Sequence, residues 1–312
     1  MRGGTNRPGV GPEAFAMPPG KAIRYDLPTG SLRDDVSGYA IYTDTSRISA
    51  TNWFLPAPAM ICIVADAGPV SIDIRKGAFG PLSRASLYGP TSSAYRATTT
   101  GGVQVGIGIT PLGWARMIGA PASDHHNRVV PLAAVTETAL VADILDRLDA
   151  LDDEAGIAPL MDALLAPLFA REHPYEATIR HLSALLVTDG VIEIADVAAR
   201  LDLPQPLIRR ISTQVFGMPP KLLLRRARFL RSFVALLKAG EPMTYDGIDS
   251  SYYDLSHFLR DAETFLGTTP RRFMAQETTF LRASLRARAA TIGAPVHALH
   301  AGAGDPLQPN RA

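Results

Sequence analysis

Two arginines, Arg210 and Arg260, stand 50 residues apart inside the same pattern. Around the first run Ile208, Arg210, Val215, Gly217, Pro220 and Lys221; around the second, Phe258, Arg260, Phe265, Gly267, Pro270 and Arg271. Each is an apolar residue, an arginine two positions on, a second apolar residue, a glycine, then a proline followed by a base. A guanidinium presented from a helix can clamp O6 and N7 of guanine in bidentate fashion. A base at the start of the next helix can meet a phosphate, which positions a protein without reading sequence. Each copy has the layout of the second half of a helix-turn-helix unit. Two of them on a basic segment imply a chain that reads double-stranded DNA at two sites.

Helices must present those arginines. Residues 193–201 and 205–216 read as a first helix-turn-helix, with Asp202-Leu203-Pro204 as the turn. Proline opening a helix costs little, because the missing N–H would be unpaired there anyway. Residues 221–237 read as one long helix with Leu223, Ala227, Leu230, Val234 and Leu237 on one face, stopped by Gly240-Glu241-Pro242. A second recognition helix is expected from about Asp254, a good N-cap, to Leu266, with a closing helix from Pro270. The first helix of this second unit, Tyr245-Asp246-Gly247-Ile248-Asp249, consists of poor helix formers. A connecting helix of about 17 residues spans roughly 25 Å at 1.5 Å per residue. With its flanking turns it can set two recognition helices about 34 Å apart, one turn of B-DNA.

The charge is distributed to match. The chain of 312 residues has a net charge of only +1, but residues 1–199 carry 15 Lys/Arg against 21 Asp/Glu. Residues 200–290 carry 15 against 8, a local net of +7 and the footprint expected for a polyanion partner. Upstream, residues 21–112 show short apolar or alternating runs (59–64, 70–74, 103–107) bounded by Gly/Pro turns, which predicts a small sandwich or barrel. From Pro131 the period becomes helical, with Leu132, Val135, Leu140, Ile144, Leu148 and Leu151 on one stripe; 160–170 and 175–187 read as further helices. The expected organisation is a disordered tail 1–20, a β-rich effector or dimerisation domain 21–130, a helical connection 131–190 able to supply a dimer contact, the DNA-reading domain 191–280, and a largely disordered tail 281–312. The fold class is thus α+β: a β-rich cupin-like barrel or sandwich, then an all-α domain.

Two blocks resemble the DNA-binding domain of the AraC/XylS family of transcription regulators. One is Tyr252-Tyr253-Asp254-Leu255-Ser256-His257-Phe258-Leu259-Arg260-Asp261 with Phe265-Leu266-Gly267-Thr268-Thr269-Pro270-Arg271-Arg272-Phe273. The other runs from Ile194-Ala195-Asp196-Val197-Ala198 through Ile208-Arg209-Arg210 to Gly217 and Pro220-Lys221. Together they cover about 90 residues. The resemblance implies base contacts from Pro206, Arg209 and Arg210 in the first unit and Leu255, Ser256 and Arg260 in the second. It makes Lys221, Arg225, Arg226, Arg271 and Arg272 candidates for phosphate contact. His257 matches a family position but reads better as a structural histidine near a helix start. Ser212 and Ala262 depart from the pattern, which usually has a large apolar residue there, and Ser251 stands where glycine is usual. The implied partners are operator DNA, RNA polymerase, a small-molecule effector at the N-terminal domain, and a second copy of the chain.

An enzyme is the competing reading: a cupin-like small-molecule-binding or metal-enzyme domain fused to a helix-turn-helix module. Cupin enzymes present His-x-His and further ligands, yet residues 21–112 contain no histidine. The pair His125-His126 is adjacent, which suits chelation poorly, and no Gly-x-Ser-x-Gly elbow occurs. No cofactor, metal or catalytic residue is therefore expected. The single cysteine, Cys62, excludes a disulfide framework and fits a cytoplasmic protein. No apolar run reaches the length of a membrane span, and the N-terminus lacks a signal-peptide core.

Overall fold

The structure, a computed structural model, describes residues 3–187, 193–239, 244–245 and 247–292. Its N-terminal half contains the strands β1 (Lys21–Asp26), β2 (Val36–Asp44), β3 (Ala50–Phe54), β4 (Met60–Ala65), β5 (Ser71–Ile74), β6 (Gly77–Phe79), β7 (Ala85–Tyr88), β8 (Tyr95–Thr99), β9 (Gly102–Ile109) and β10 (Val129–Pro131). They form two antiparallel sheets, a larger one in the order β1-β2-β9-β4-β7-β10 and a smaller one in the order β3-β8-β5-β6. Of the two expected architectures, the chain takes the sandwich. The larger sheet is covered on both faces, which explains the unbroken apolar run in β4. Ile61 and Ile63 join one core with Val105, Ile107 and Trp114, while Cys62 and Val64 join another with Ile72, Tyr88 and Tyr95 of the inter-sheet space.

Helices cover the outer face of the larger sheet. They are α1 (Pro111–Met117), capped by the Thr110 hydroxyl; α2 (Thr138–Asp149), burying Val141, Ile144 and Leu148; and α3 (Ile157–Leu165), while α4 (Glu176–Val187) packs on α1 rather than on the sheet. The helical pattern expected from Pro131 starts at Thr138, because residues 129–134 first complete β10 and a 3-10 turn. Then come α5 (Ile194–Leu201), α6 (Gln205–Phe216), the long α7 (Pro220–Ala239), α8 (Leu255–Leu266), α9 (Pro270–Met274) and α10 (Thr279–Ile292).

Two expectations fail at the ends of the chain. The segment from 281 is not a loose tail up to Ile292: it is α10, which lies back across the sandwich and buries Ala283 and Ala287 against Ile23 and Tyr25. Nor is the stretch before β1 a tail, since Ala14 and Phe15 of a 3-10 turn close the same cluster and Gly4 bridges to Arg24. Arg286 fixes the two together by donating to the carbonyls of Ala14, at 3.2 Å, and Ala16. Glycine and proline around these segments suggested disorder; a shared apolar patch outweighed them. The expected helix stop at 240–242 and residues 293–312 lie outside the described residues.

Candidate nucleic-acid interface

The first unit is a complete helix-turn-helix. α5 ends at Asp202, whose left-handed φ of 50° makes the turn, and α6 starts behind Pro204. Val197, Ile208, Ile211 and Val215 pack against Ile179, Leu182 and Leu186 of α4 and against Leu112 of α1. That apolar face turns Pro206, Arg209 and Arg210 outward, all three exposed. Arg210 donates to the Tyr175 hydroxyl, and its guanidinium lies 5.1 Å from the Tyr175 ring. Ser212 is fully buried, and its hydroxyl donates to the Met218 carbonyl at 2.7 Å, so the departure from an apolar residue serves the helix end.

The second unit is built differently. Among the described residues no helix lies between α7 and α8; residues 247–254 form turns. Asp249 organises them: its carboxylate accepts from the Ser251 N–H at 2.9 Å and the Ser251 hydroxyl at 2.5 Å, and from Arg231 of α7 at 2.8 Å. Burial alone would raise the Asp249 pKa, but these donors outweigh it and hold the carboxyl below its usual range. Ser251, in place of glycine, is thus a partner of the turn. Asp254 caps α8 as expected, accepting from the His257 N–H at 2.7 Å, and the His257 ring packs edge-on to Tyr252.

Asp261 fastens α8 to α7. It is fully buried and accepts from Arg225 at 2.6 Å, Arg228 at 3.0 Å and the Tyr252 hydroxyl at 2.9 Å. Arg228 also lies 4.1 Å above the Tyr252 ring. The fully buried Ala262 sits beside it, where a larger side chain would hold the helices apart. Phe258 and Phe265 stack on Phe229 of α7.

These contacts divide the basic residues into two groups. Arg226 is fully buried, where the loss of solvation lowers its pKa to about 9, so it cannot serve as a phosphate contact in this arrangement. Arg225 is committed to Asp261. The other candidates are exposed on the outer elements: Lys221 at the start of α7, and Arg271 and Arg272 in α9. Leu255, Ser256 and Arg260 are exposed on α8, where Ser256 and Arg260 share one face four residues apart. The structure therefore leaves the six base-reading candidates outward and removes two of the five phosphate candidates. It also adds Tyr253, 93% exposed immediately before the Asp254 cap. The Tyr252-Tyr253 doublet held that signal, since neighbouring residues entering a helix cannot both face its core.

The sandwich grips the far ends of both recognition helices through one loop, residues 89–94. Gly217, at φ 77° behind α6, lies so close that a Cβ there would stand 3.0 Å from Pro90 and from the Ala122 carbonyl. The Ala94 N–H donates to the Phe265 carbonyl in the last turn of α8 at 2.6 Å. Edge strand β3 adds a bond from the Trp53 N–H to the Glu277 carbonyl at 2.8 Å. Among the described residues no group of His, Cys, Asp and Glu side chains could hold a metal ion, and no helix is long and apolar enough to cross a membrane.

No protein-family model matches the chain, and no curated protein matches it. Among solved structures, ToxT from Vibrio cholerae O395 is 13% identical and aligns over 77% of this chain and 97% of its own, with a TM-score of 0.41. ToxT from Vibrio cholerae strain SCE256 with an unsaturated fatty acid bound is 11% identical over 76% and 97%, with a TM-score of 0.42. The AraC-like transcriptional activator CuxR is 11% identical over 70% and 85%, with a TM-score of 0.28. Scores this low leave the assignment to the chain's own residues.

Proposed function

We propose that this chain is a sequence-specific DNA-binding transcription regulator of the AraC/XylS type, whose α6 and α8 enter successive major grooves on one face of the duplex. The observation that carries this is the matched pair of exposed edges, Pro206, Arg209 and Arg210 on α6 and Leu255, Ser256 and Arg260 on α8, mounted on the single helix α7. α7 has 20 residues, or about 30 Å at 1.5 Å per residue, a length suited to bridging one turn of B-DNA. Arg209, Arg210 and Arg260 read base edges; Lys221, Arg271 and Arg272 hold phosphates. The N-terminal sandwich acts as an effector and dimerisation domain without chemistry of its own. The protein works in the cytoplasm as a homodimer that contacts RNA polymerase.

Genome-wide footprinting of DNA bound by the full chain tests this reading. The expected result is a small set of sites sharing a motif with two half-sites about one helical turn apart. Binding without any enriched motif, or a motif unchanged by Arg260→Ala and Arg210→Ala alike, would overturn it.

A further inference from the structure

The inter-sheet space contains a hollow that the core does not fill. Its inner compartment is about 60 Å³ and an outer one about 130 Å³; Tyr42, Phe54, Met60, Tyr95 and Gly106 border both. The sequence of β9 makes the space. Alternate residues face opposite sides of a strand: Val105, Ile107 and Ile109 fill the outer core, while Gln104, Gly106 and Gly108 face the hollow, the two glycines with no side chain to fill it. A Cβ on Gly106 would come within 3.0 Å of the Met60 sulfur.

The walls of the inner compartment are aromatic and carry no charged side chain. Tyr95 stacks on Phe54 at 5.4 Å, and Tyr42 meets Phe54 edge-on at 6.2 Å. Asn52 supplies a polar edge. It is only 5% exposed and lines the hollow. An amide that faces a hollow can donate to or accept from a guest there. An ion in the inner compartment would lose its hydration with no counter-charge among the lining side chains, since Arg288 borders only the outer one.

The roof is α10, the helix that follows the second reading unit. Phe280 of its first turn reaches into the inner compartment edge-on to Tyr42 at 5.5 Å, and Leu281, Ser284 and Leu285 cover the outer one. Sixty cubic ångströms will not take an aromatic ring beside Phe280; a cavity of about 150 Å³ is what binds benzene elsewhere. A ring can enter the inner compartment only by taking the place of Phe280.

We propose that this hollow binds a small uncharged aromatic molecule bearing one hydrogen-bonding group, with Asn52 as its polar partner, and that Phe280 fills the ring position when the molecule is absent. Occupancy then lifts the first turn of α10 from the sandwich, beside the Trp53–Glu277 bond that ties down the second unit. This deepens the effector part of the function proposed above, but its test reads ligand binding and stands apart from DNA recognition.

The experiment is calorimetric titration of the full chain with indole, and with benzoate as a charged molecule of similar size. Indole should bind and benzoate should not. Phe280→Ala should bind indole about tenfold more tightly, because the closed roof no longer lowers the competent fraction. Asn52→Leu, which keeps the bulk and removes the amide, should weaken binding about fivefold for the lost hydrogen bond. Ala97→Leu should fill the compartment and abolish binding; melting curves check that each variant is folded, and if Ala97→Leu unfolds, Asn52→Leu carries the comparison. In hydrogen exchange, indole should speed the amides of residues 281–287 in the wild type. Flat titrations of both wild type and Phe280→Ala, indole binding indifferent to Asn52→Leu and Ala97→Leu, or benzoate binding as well as indole would each overturn the proposal. A protein that binds indole as described but finds no operator would leave this site standing and sink the DNA reading alone.

Discussion

α6 and α8 share a sequence pattern and a supporting helix, yet different forces hold them. α6 rests on apolar packing: Ile208, Ile211 and Val215 sit in one core with α1, α4 and α5. α8 keeps an aromatic stack beneath it, but the helix that should precede it is replaced by turns pinned through Asp249, and its outer half is tied to α7 through the buried Asp261. The repeat therefore preserves the reading edge and leaves its support free to differ. The local excess of base has two meanings as a result. Arg225, Arg228 and Arg231 of α7 are internal fastenings with named acids, whereas the exposed Arg209, Arg260 and Lys221 face solvent.

The largest expected effect breaks unit two alone. Asp261→Ala leaves Arg228, with an 8% exposed side chain, and the half-exposed Arg225 without their acid. Stranding a buried charge costs about 3–5 kcal/mol, which denaturant melting would read as lost stability. In unit one the position equivalent to Asp261 is the apolar Ile211, and the nearest buried polar fastening is Ser212; Ser212→Ala removes one neutral hydrogen bond and should cost only about 1 kcal/mol. Equal losses from the two would mean that both units are held alike.

The arginines sharpen the contrast at the DNA. Among the described residues the Arg260 side chain makes only a 3.3 Å bond to the Ser256 carbonyl within its own helix, so Arg260→Ala should relax base preference at one position, cost about 1–3 kcal/mol of binding and leave the melting temperature unchanged. Arg210 also lies against Tyr175, so Arg210→Ala should lose comparable base preference and a further 0.5–1 kcal/mol or so of stability. Binding curves on matched and mismatched operators, with melts alongside, separate the two. An Arg210→Ala protein that melts earlier yet keeps full base preference would make that residue structural.

Acid should loosen the docking of unit one before that of unit two. His126 follows the turn that meets Gly217, and burial first, then Arg226 and Arg75, lowers its pKa from the ordinary 6.5 to about 4. Its neutral form is favoured by folding, so that stability is fully present above pH 6.5 and is lost as pH falls toward 4. Because the ring is partly exposed, the loss should be about 1 kcal/mol. The Asp249 carboxyl is held below its usual range, so its contribution is present above about pH 4 and fades only as pH falls below that. Hydrogen exchange in α6 and α8 between pH 7 and 5 reads the difference, and His126→Gln should remove the early change. Simultaneous loosening of both helices would refute the assignment to His126.

Much of the reading domain was legible because its signals are local. The Asp254 cap, the Pro204 start of α6, the glycines behind both recognition helices and the period of α7 all act within a few residues. What the sequence hid depends on distant partners. The poor helix formers at 245–249 predicted a weak first helix, but only Arg231 and Ser232 of α7 explain how the turns at 247–251 are held. Arg226 looked like its neighbours until α7 was placed against the sandwich. The α10 helix was lost because its apolar stripe is largely alanine and its partners, Phe15 and Ile23, lie more than 250 residues away. The hollow behind β9 is spelled by Gly106 and Gly108, but glycine in a strand reads equally as a bulge or a close approach.

The smallest expected effect tests whether the two units meet the backbone alike. Lys221 opens α7 just after unit one, and Arg271 opens α9 just after unit two, at equivalent places in the repeat. If each neutralises one phosphate, Lys221→Ala and Arg271→Ala should weaken operator and random DNA about equally, and each should make the dependence of log K on log salt shallower by roughly 0.9. Lys221 is exposed, with no ion pair among the described residues, so its effect should appear in full. The Arg271 guanidinium lies 6.0 Å from the Tyr245 ring, within the turns that stand in for a first helix. Removing it should therefore also disturb unit two slightly, by about 0.5 kcal/mol in melting. Titrations at two salt concentrations, on operator and on random duplex, decide the matter. A Lys221→Ala protein with an unchanged salt slope would show that the base behind unit one faces no phosphate, and the symmetry of backbone contact would then be confined to the sequence pattern.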